Sequence, residues 1–264
     1  MSDSKKRIWG ILRREVQELA DAEPILASFL YAAVLNHKTF EESLSFHLSV
    51  KLASPMIHAT TLRDVMFECH QRDPDLAAAA VEDLKAVVDR DPACDRYSVP
   101  FLFFKGYQAL QSYRIGHHLW CAGRRALALQ LQSSISEVFG VDIHPAARIG
   151  RGILMDHATG IVIGETAVVE DNVSMLHEVT LGGTGKEHGD RHPKVRRGVL
   201  IAAGAKIFGN IEIGESAKVA GGSVVLHPVP PYTTVAGVPA KPVGKTHGRP
   251  SIQMDQGIES DYIP

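Results

Sequence analysis

The sequence predicts an α+β chain, with an N-terminal helical half followed by a C-terminal parallel β-coil built on six-residue sides. Three observations lead there. Only four of the 23 glycines (Gly10, Gly106, Gly116 and Gly123) precede residue 140. Aromatic residues run the other way, with Phe208, Tyr232 and Tyr262 alone beyond residue 140. Past that point an aliphatic residue recurs every six positions. A single uniform sandwich, barrel or bundle would not divide its composition so sharply. The expected borders are a helical unit over 1–140, a coil over 141–243 with a projecting loop over 182–194, and a polar, disordered tail over 244–264.

The helices follow in order. Ile8, Leu12, Val16 and Leu19 recur at three- and four-residue steps, the period of one helix face. Thr39 with Glu42 has capping-box spacing, and Leu44, Leu48 and Leu52 form the stripe behind it. Asp73-Pro74 reads as a start, because Asp caps and Pro fits a first turn whose N–H would be unpaired anyway. Asp91-Pro92 ends that helix. Further helices are expected over 100–121 and 124–139, stopped by Gly140. The stripes read as core, and His117-His118 as structural or solvated.

The coil rests on period. Ile143, Ile149, Met155 and Ile161 step by six; after a shift of two come Ile163, Val169, Met175 and Leu181. The steps resume as Val195, Ile201, Ile207, Ile213, Val219 and Val225. A helix needs a period near 3.6 and a lone strand a period of 2. Six suits short flat sides, each pointing one aliphatic inward before a tight corner. Stacked coils then bury a narrow column with no room for bulky aromatics. The pattern resembles the hexapeptide-repeat parallel β-helix, left-handed in the families that use it. From Gly182 to Lys194 the repeat fails in a polar, glycine-rich run, which must project as a loop.

Composition excludes several classes. A formal net charge of -2 gives no basic bias toward nucleic acid or anionic lipid. Cys69, Cys94 and Cys121 are far apart, with no CxxC pair, and read as reduced thiols of a cytoplasmic protein. Residues 1–7 are polar with no apolar signal core behind them, and no 18-residue apolar run marks a membrane span.

Asp142 and His157 lie fifteen residues apart, a little under one turn of three six-residue sides, which allows them to approach on neighbouring coils. A histidine titrating near neutrality suits a general base, and a carboxylate on its far nitrogen would fix the tautomer. Arg191 and His192, on the loop, suit a carboxylate clamp.

Six strings carry a closer resemblance: Asp91-Pro92-Ala93, Tyr113 to His117, Val141 to Pro145, Asp156-His157-Ala158-Thr159-Gly160, Thr180 to Lys186, and Gly189-Asp190-Arg191-His192-Pro193. Together they resemble the bacterial serine O-acetyltransferases over nearly the whole chain. That resemblance implies transfer of acetyl from acetyl-CoA to L-serine, the first step of cysteine biosynthesis from serine, with feedback inhibition by L-cysteine. It implies His157 as general base with Asp142 as its orienting partner. Asp91 and Asp156 would meet the substrate ammonium, and Arg191 and His192 its carboxylate. Coenzyme A would lie between adjacent coils of a homotrimer, along Gly183, Thr184, Ala203, Gly204, Ala220 and Gly221, with Lys218 or Lys241 near phosphate. It further implies a dimer of trimers through the helical half, and no metal.

The family's tail ends in isoleucine and enters O-acetylserine sulfhydrylase. Here Ile263 is penultimate, so the terminal carboxylate falls on Pro264, which argues against that partner. Two other enzyme readings remain: acetyl transfer to another hydroxyl or amine, such as a sugar, and a zinc hydratase using His177, His188 and His192. A scaffold that has lost catalysis is argued against by the intact His157 and Asp142.

Overall fold

The computed structural model describes residues 3–185 and 188–258. The helical half opens with α1 (Asp3–Ala22), whose Ile8, Leu12 and Val16 are buried. The short α2 (Ala27–Leu30) leads through a wide turn of helix to α3 (Phe40–Leu52). Thr39 caps α3 through its side chain and Glu42 returns the bond, completing the capping box. After α4 (Ala59–Arg72), the Asp73 side chain caps α5 (Pro74–Arg90) by accepting from the Asp75 N–H.

One difference from expectation falls at residue 104. The stretch expected as a single helix is two, α6 (Ser98–Phe103) and α7 (Lys105–Cys121), because Phe104 takes extended angles between them. The break points the N-terminus of α7 at the coil, where Gly106 lies against the Met155 carbonyl. A Cβ on Gly106 would sit 2.1 Å from that oxygen, so only glycine fits. Helix α8 (Arg125–Phe139) ends on Gly140 in the left-handed region, and the chain enters the coil.

The coil is a parallel β-helix of three sheets. The first holds Val141–Ile143, Ile161–Ile163, Thr180–Gly182, Lys206–Phe208 and Val224–Val225. The second holds Arg148–Ile149, Val168–Val169, Lys194–Val195 and Glu212–Ile213. The third runs from Leu154–Met155 through Ser174–Met175, Leu200–Ile201 and Lys218–Val219 to Thr233–Gly237. Register gives the period. Ile163 pairs with Leu181 and Ile207 with Val225, each one coil of eighteen residues. Ile143 pairs with Ile163, a coil two residues longer, and Leu181 with Ile207, a coil eight longer. The aliphatics at the six-residue steps are buried, apart from the partly buried Ile149, as are Ala147, Ala167, Ala205 and Ala217 between them.

The C-terminal stretch differs from the expected disordered tail as far as residue 258. Ala240–Lys245 pairs antiparallel with Thr233–Gly237, and α9 (Pro250–Gln253) packs against α5. Polar groups anchor it: Thr246 Oγ1 donates to the Ser216 carbonyl at 2.6 Å and Ser174 Oγ to the Ser251 carbonyl at 2.7 Å. Hydrogen bonds rather than an apolar stripe hold this segment, so its polarity gave no packing signal. The expectation for Ile263 and Pro264 lies outside the described residues.

Candidate functional site

The two lengthened coils place their extra residues on different edges. The two-residue addition falls between the third sheet and the first, in Asp156 to Gly160. His157 and Ala158 there take φ of 54° and 58°, left-handed angles that cost a non-glycine residue roughly 1–2 kcal/mol each. Bonds on all sides hold them. The Ala158 N–H donates to the Asp156 carbonyl at 2.6 Å, the Gly160 N–H to Gly140 at 2.7 Å, and Lys105 Nζ to Thr159 Oγ1. The corner thrusts His157 outward, its side chain 74% exposed.

His157 Nε2 stands 3.8 Å from Asp156 Oδ1, and its ring meets His177 edge to face at 5.9 Å. A cavity of about 460 Å³ is lined by Asp91, Asp156 and His157, with Lys105 and Phe104 on its helical side. Three of the expected site residues thus share one cavity. Asp142 does not join them. Its carboxylate accepts from Gln132 Nε2 at 2.6 Å and makes no hydrogen bond or ion pair with His157.

The eight-residue addition falls between the first sheet and the second and carries Arg191 and His192. Arg191 Nη2 donates to Glu165 at 2.7 Å, which holds that carboxyl below its ordinary range. Thr166 organises the pair. Its Oγ1 accepts from the Arg191 and His192 backbone N–H groups at 3.0 and 3.1 Å. Its own N–H donates to His192 Nδ1 at 3.2 Å, and its hydroxyl lies 2.8 Å from the same nitrogen. Nδ1 is therefore the acceptor, which leaves Nε2 as an N–H donor. Burial, then the Arg191 charge, push His192 below its ordinary pKa, so it is neutral near pH 7. The ring lies over Gly164, where a Cβ would fall 2.0 Å from Nε2.

The small residues expected along coenzyme A also divide between these edges. Ala203-Gly204 and Ala220-Gly221 continue the edge of His157 and His177 in the next two coils, with the Gly222 N–H donating to Ala203 at 2.8 Å. Gly183 and Thr184 lie on the loop edge. Lys241 is exposed. Lys218 is turned from the phosphate role expected of it. It is nearly buried, and its Nζ donates to the Asp255 and Gly257 carbonyls at 3.3 and 2.5 Å, so the chain's own C-terminal segment takes its ammonium.

Sequence reasoning missed His177 in this setting, and Glu165, Thr166 and Lys105 altogether. His177 had a readable signal: it stands two residues after Met175 as His157 stands two after Met155, and the two methionines are register partners. Its Nδ1 is buried without a partner, which leaves Nε2 as its accessible nitrogen. Among the described residues no group of three His, Cys, Asp or Glu is placed to hold a metal, and no helix is long and apolar enough to cross a membrane.

Residues 8–112 match the family model described as "Serine acetyltransferase, N-terminal". The serine acetyltransferase of Salmonella typhimurium is 59% identical over 250 residues, 94% of this chain and 92% of that protein. The crystal structure of the Vibrio cholerae serine acetyltransferase superposes with a TM-score of 0.96 at 54% identity, covering 97% of this chain and all of that one. Other similar structures are described with ligands: a serine acetyltransferase in complex with cysteine (TM-score 0.94, 53% identity, 96% of this chain and 99% of that one), that of Brucella abortus with coenzyme A (0.90, 50%, 91% and 96%), and that of soybean with serine (0.90, 56%, 92% and 100%).

Proposed function

The chain belongs to the serine acetyltransferase family and is an acyltransferase, and on that premise we propose that it moves the acetyl group of acetyl-CoA to the hydroxyl of L-serine. The observation that carries this reading is the single cavity shared by Asp91, Asp156 and His157. Two carboxylates beside an exposed imidazole suit an ammonium next to a hydroxyl that must lose its proton. The relatives described with serine and with coenzyme A fit the same pair of substrates.

The proposed chemistry needs no acyl-enzyme. His157 takes the serine hydroxyl proton as the oxygen attacks the thioester carbonyl. The tetrahedral intermediate then collapses, the C–S bond breaks, and the imidazolium returns the proton to the departing CoA sulfur. The oxyanion formed between these steps needs a donor. His177, whose accessible nitrogen lies on the edge of His157, serves that role, as does a loop N–H around Gly183 once a second copy brings its loop edge there. Asp156 stands nearest the base; Asp142 serves as its orienting partner only on leaving Gln132.

The carboxylate clamp argues for a trimer. Arg191 and His192 lie on one edge of the first sheet and His157 on the other, with the strand Ile161–Ile163 between them. Three residues of strand span about 10 Å, whereas serine's ammonium and carboxylate flank one Cα. A second copy bringing its loop edge to the His157 edge would close the site, cover the exposed imidazole and frame a groove for coenzyme A. Exposed Ile25, Phe29, Val50 and Met56 on the helical half suit further pairing of trimers. L-cysteine, an isostere of serine, would meet the same clamp and inhibit, as the cysteine-bound relative suggests.

The test is thiol release from acetyl-CoA with L-serine, L-homoserine or an amino sugar as acceptor, with and without L-cysteine. Release with L-serine, inhibited by L-cysteine, is expected. Release with the amino sugar alone would replace this reading by the other-acceptor one.

A further inference from the structure

We propose that the buried Asp83–Arg114 pair is a positioning device for amine recognition: it sets the spacing between Asp91, at the end of α5, and Asp156, on the coil. This rests on the reading above that those two carboxylates hold the substrate ammonium.

Asp83 lies in α5 with no exposed surface. Its Oδ2 accepts from Arg114 Nε at 2.9 Å, Arg114 Nη2 at 2.7 Å and Gln111 Nε2 at 3.0 Å, all from α7. Its Oδ1 accepts from the Ile153 backbone N–H at 3.0 Å. Arg114 then donates to the Ile149 and Gly150 carbonyls at 3.2 and 2.6 Å. One carboxylate and one guanidinium thus tie α5, α7 and the first corner after the second sheet at a single point.

The tie lies close to both ammonium carboxylates. From Asp83, α5 runs eight residues to Asp91, about 12 Å of rigid helix. From Ile153 the coil runs three residues to Asp156. Asp91 and Asp156 are far apart in sequence, yet they line the same cavity of about 460 Å³ and a second of about 710 Å³ beside it. A second tether fixes the end of the helix. Arg90, next to Asp91, donates to Ser174 Oγ and Asn172 Oδ1, both at 3.1 Å. With α5 held at two points, Asp91 has a defined place relative to the coil.

Stability alone does not account for the pair. Two buried charges recover their desolvation cost only with full hydrogen bonding, and apolar residues of similar volume often serve as well. Directional geometry is what an apolar contact lacks, and the two guanidinium N–H groups converging on Asp83 Oδ2, with their two carbonyl ties, supply it. Arg114 therefore acts through Asp91 and Asp156 and touches no substrate.

Arg114→Lys tests this, since it keeps the charge and gives up the fork. A displacement near 1 Å at a binding pair is worth about tenfold or more. The expected result is a rise of about tenfold in KM for L-serine and an equal rise in the half-inhibitory L-cysteine concentration, with KM for acetyl-CoA and kcat held within about twofold. Leu84→Ala, a core truncation on the same helix, is the control: it should lower Tm and leave serine KM unchanged. Unchanged serine KM in Arg114→Lys, or parallel rises in both KM values, would overturn the proposal. A crystal structure of the variant decides the spacing without reference to any substrate, so a wild type that did not acetylate serine would defeat the functional reading alone. An Asp91–Asp156 pair that stayed in place would defeat this one. Should Arg114→Lys not fold, Asp83→Glu, which lengthens the tie by one methylene, carries the same measurements.

Discussion

The two halves of the molecule bury different chemistry. The coil's column is aliphatic: Ile161, Val173, Leu181, Val195 and Ile207 are inaccessible, and its titratable groups stand on corners and outer faces. The helical half buries His47, His70 and the Asp83–Arg114 pair within its core. His47 stacks on Phe101 and contacts Gln108 Nε2 at 3.2 Å, while both ring nitrogens of His70 lack a partner. The coil is thus a scaffold with its titratable groups at corners, whereas the helical half is a polar-bearing core whose substitutions should act mainly on stability, except where the Asp83–Arg114 tie and Asp91 reach the cavity. Asp91 is where they meet, a helical residue in the cavity of a coil corner.

The largest expected effect tests the coil side. His157→Ala should lower acetyl transfer by about 10² to 10⁴, the usual share of general acid–base catalysis, with Tm and coenzyme A binding close to wild type. Turnover within a few-fold of wild type would show that the exposed imidazole is not the base. A large fall in Tm would show that the strained corner is structural after all.

Acid should reach the helical half first. Burial is the main cause that pushes His47 and His70 down to about 4, from an ordinary value of 6.5. A depressed folded-state pKa means that the unfolded chain takes up the proton first. The stability is whole above pH 6.5 and is lost as pH falls toward 4, by on the order of 3 kcal/mol per histidine. Helical circular dichroism and tryptophan emission, which report Trp9 and Trp120, should therefore change between pH 6 and 4 in a wild type that is stable at pH 7. Flat stability across that window, or its restoration in neither His47→Gln nor His70→Gln, would remove the electrostatic half of the contrast.

Arg191→Ala returns to the coil and is milder. Losing a charge-assisted bidentate contact costs about 1.5–3 kcal/mol, or some 10- to 100-fold in KM for L-serine. The half-inhibitory L-cysteine concentration should rise by a similar factor if, as proposed, one clamp holds both. A change in only one of the two would separate the sites.

How much of this was legible in the sequence follows from where local rules apply. Capping and periodicity are local, so Thr39–Glu42, Asp73-Pro74, Gly140 and the six-residue ladder could be read directly. The break at Phe104 could not, because it answers to the approach of Gly106 to Met155, a contact between distant segments. The same limit hid the burial of Lys218 under residues 255–257 and the bond of Asp142 to Gln132. His157 came from its spacing to Asp142 and its chemistry, Asp91 and Asp156 from motif resemblance, and the fold supplied their common cavity. Glu165 and Thr166 gave no signal, since their importance lies in bonds to a loop some twenty-five residues on.

The smallest expected effect isolates stability from chemistry. The capping box joins Thr39 Oγ1 to the Glu42 N–H at 3.2 Å, and the Glu42 carboxylate accepts in return from the Thr39 N–H at 3.3 Å. It lies in the helical half, outside the cavity of Asp91 and His157. Thr39→Ala leaves the first turn of α3 with an unpaired donor, and such caps are worth about 1 kcal/mol. For a chain of this size that lowers Tm by about 2–4 °C. Turnover, KM for both substrates and cysteine sensitivity should stay at wild-type values, since nothing in the box touches Asp91, Asp83 or the coil. A variant that lost little stability yet shifted serine KM would mean that the helical half transmits small displacements to the cavity generally, and that the Asp83–Arg114 tie is one of many routes.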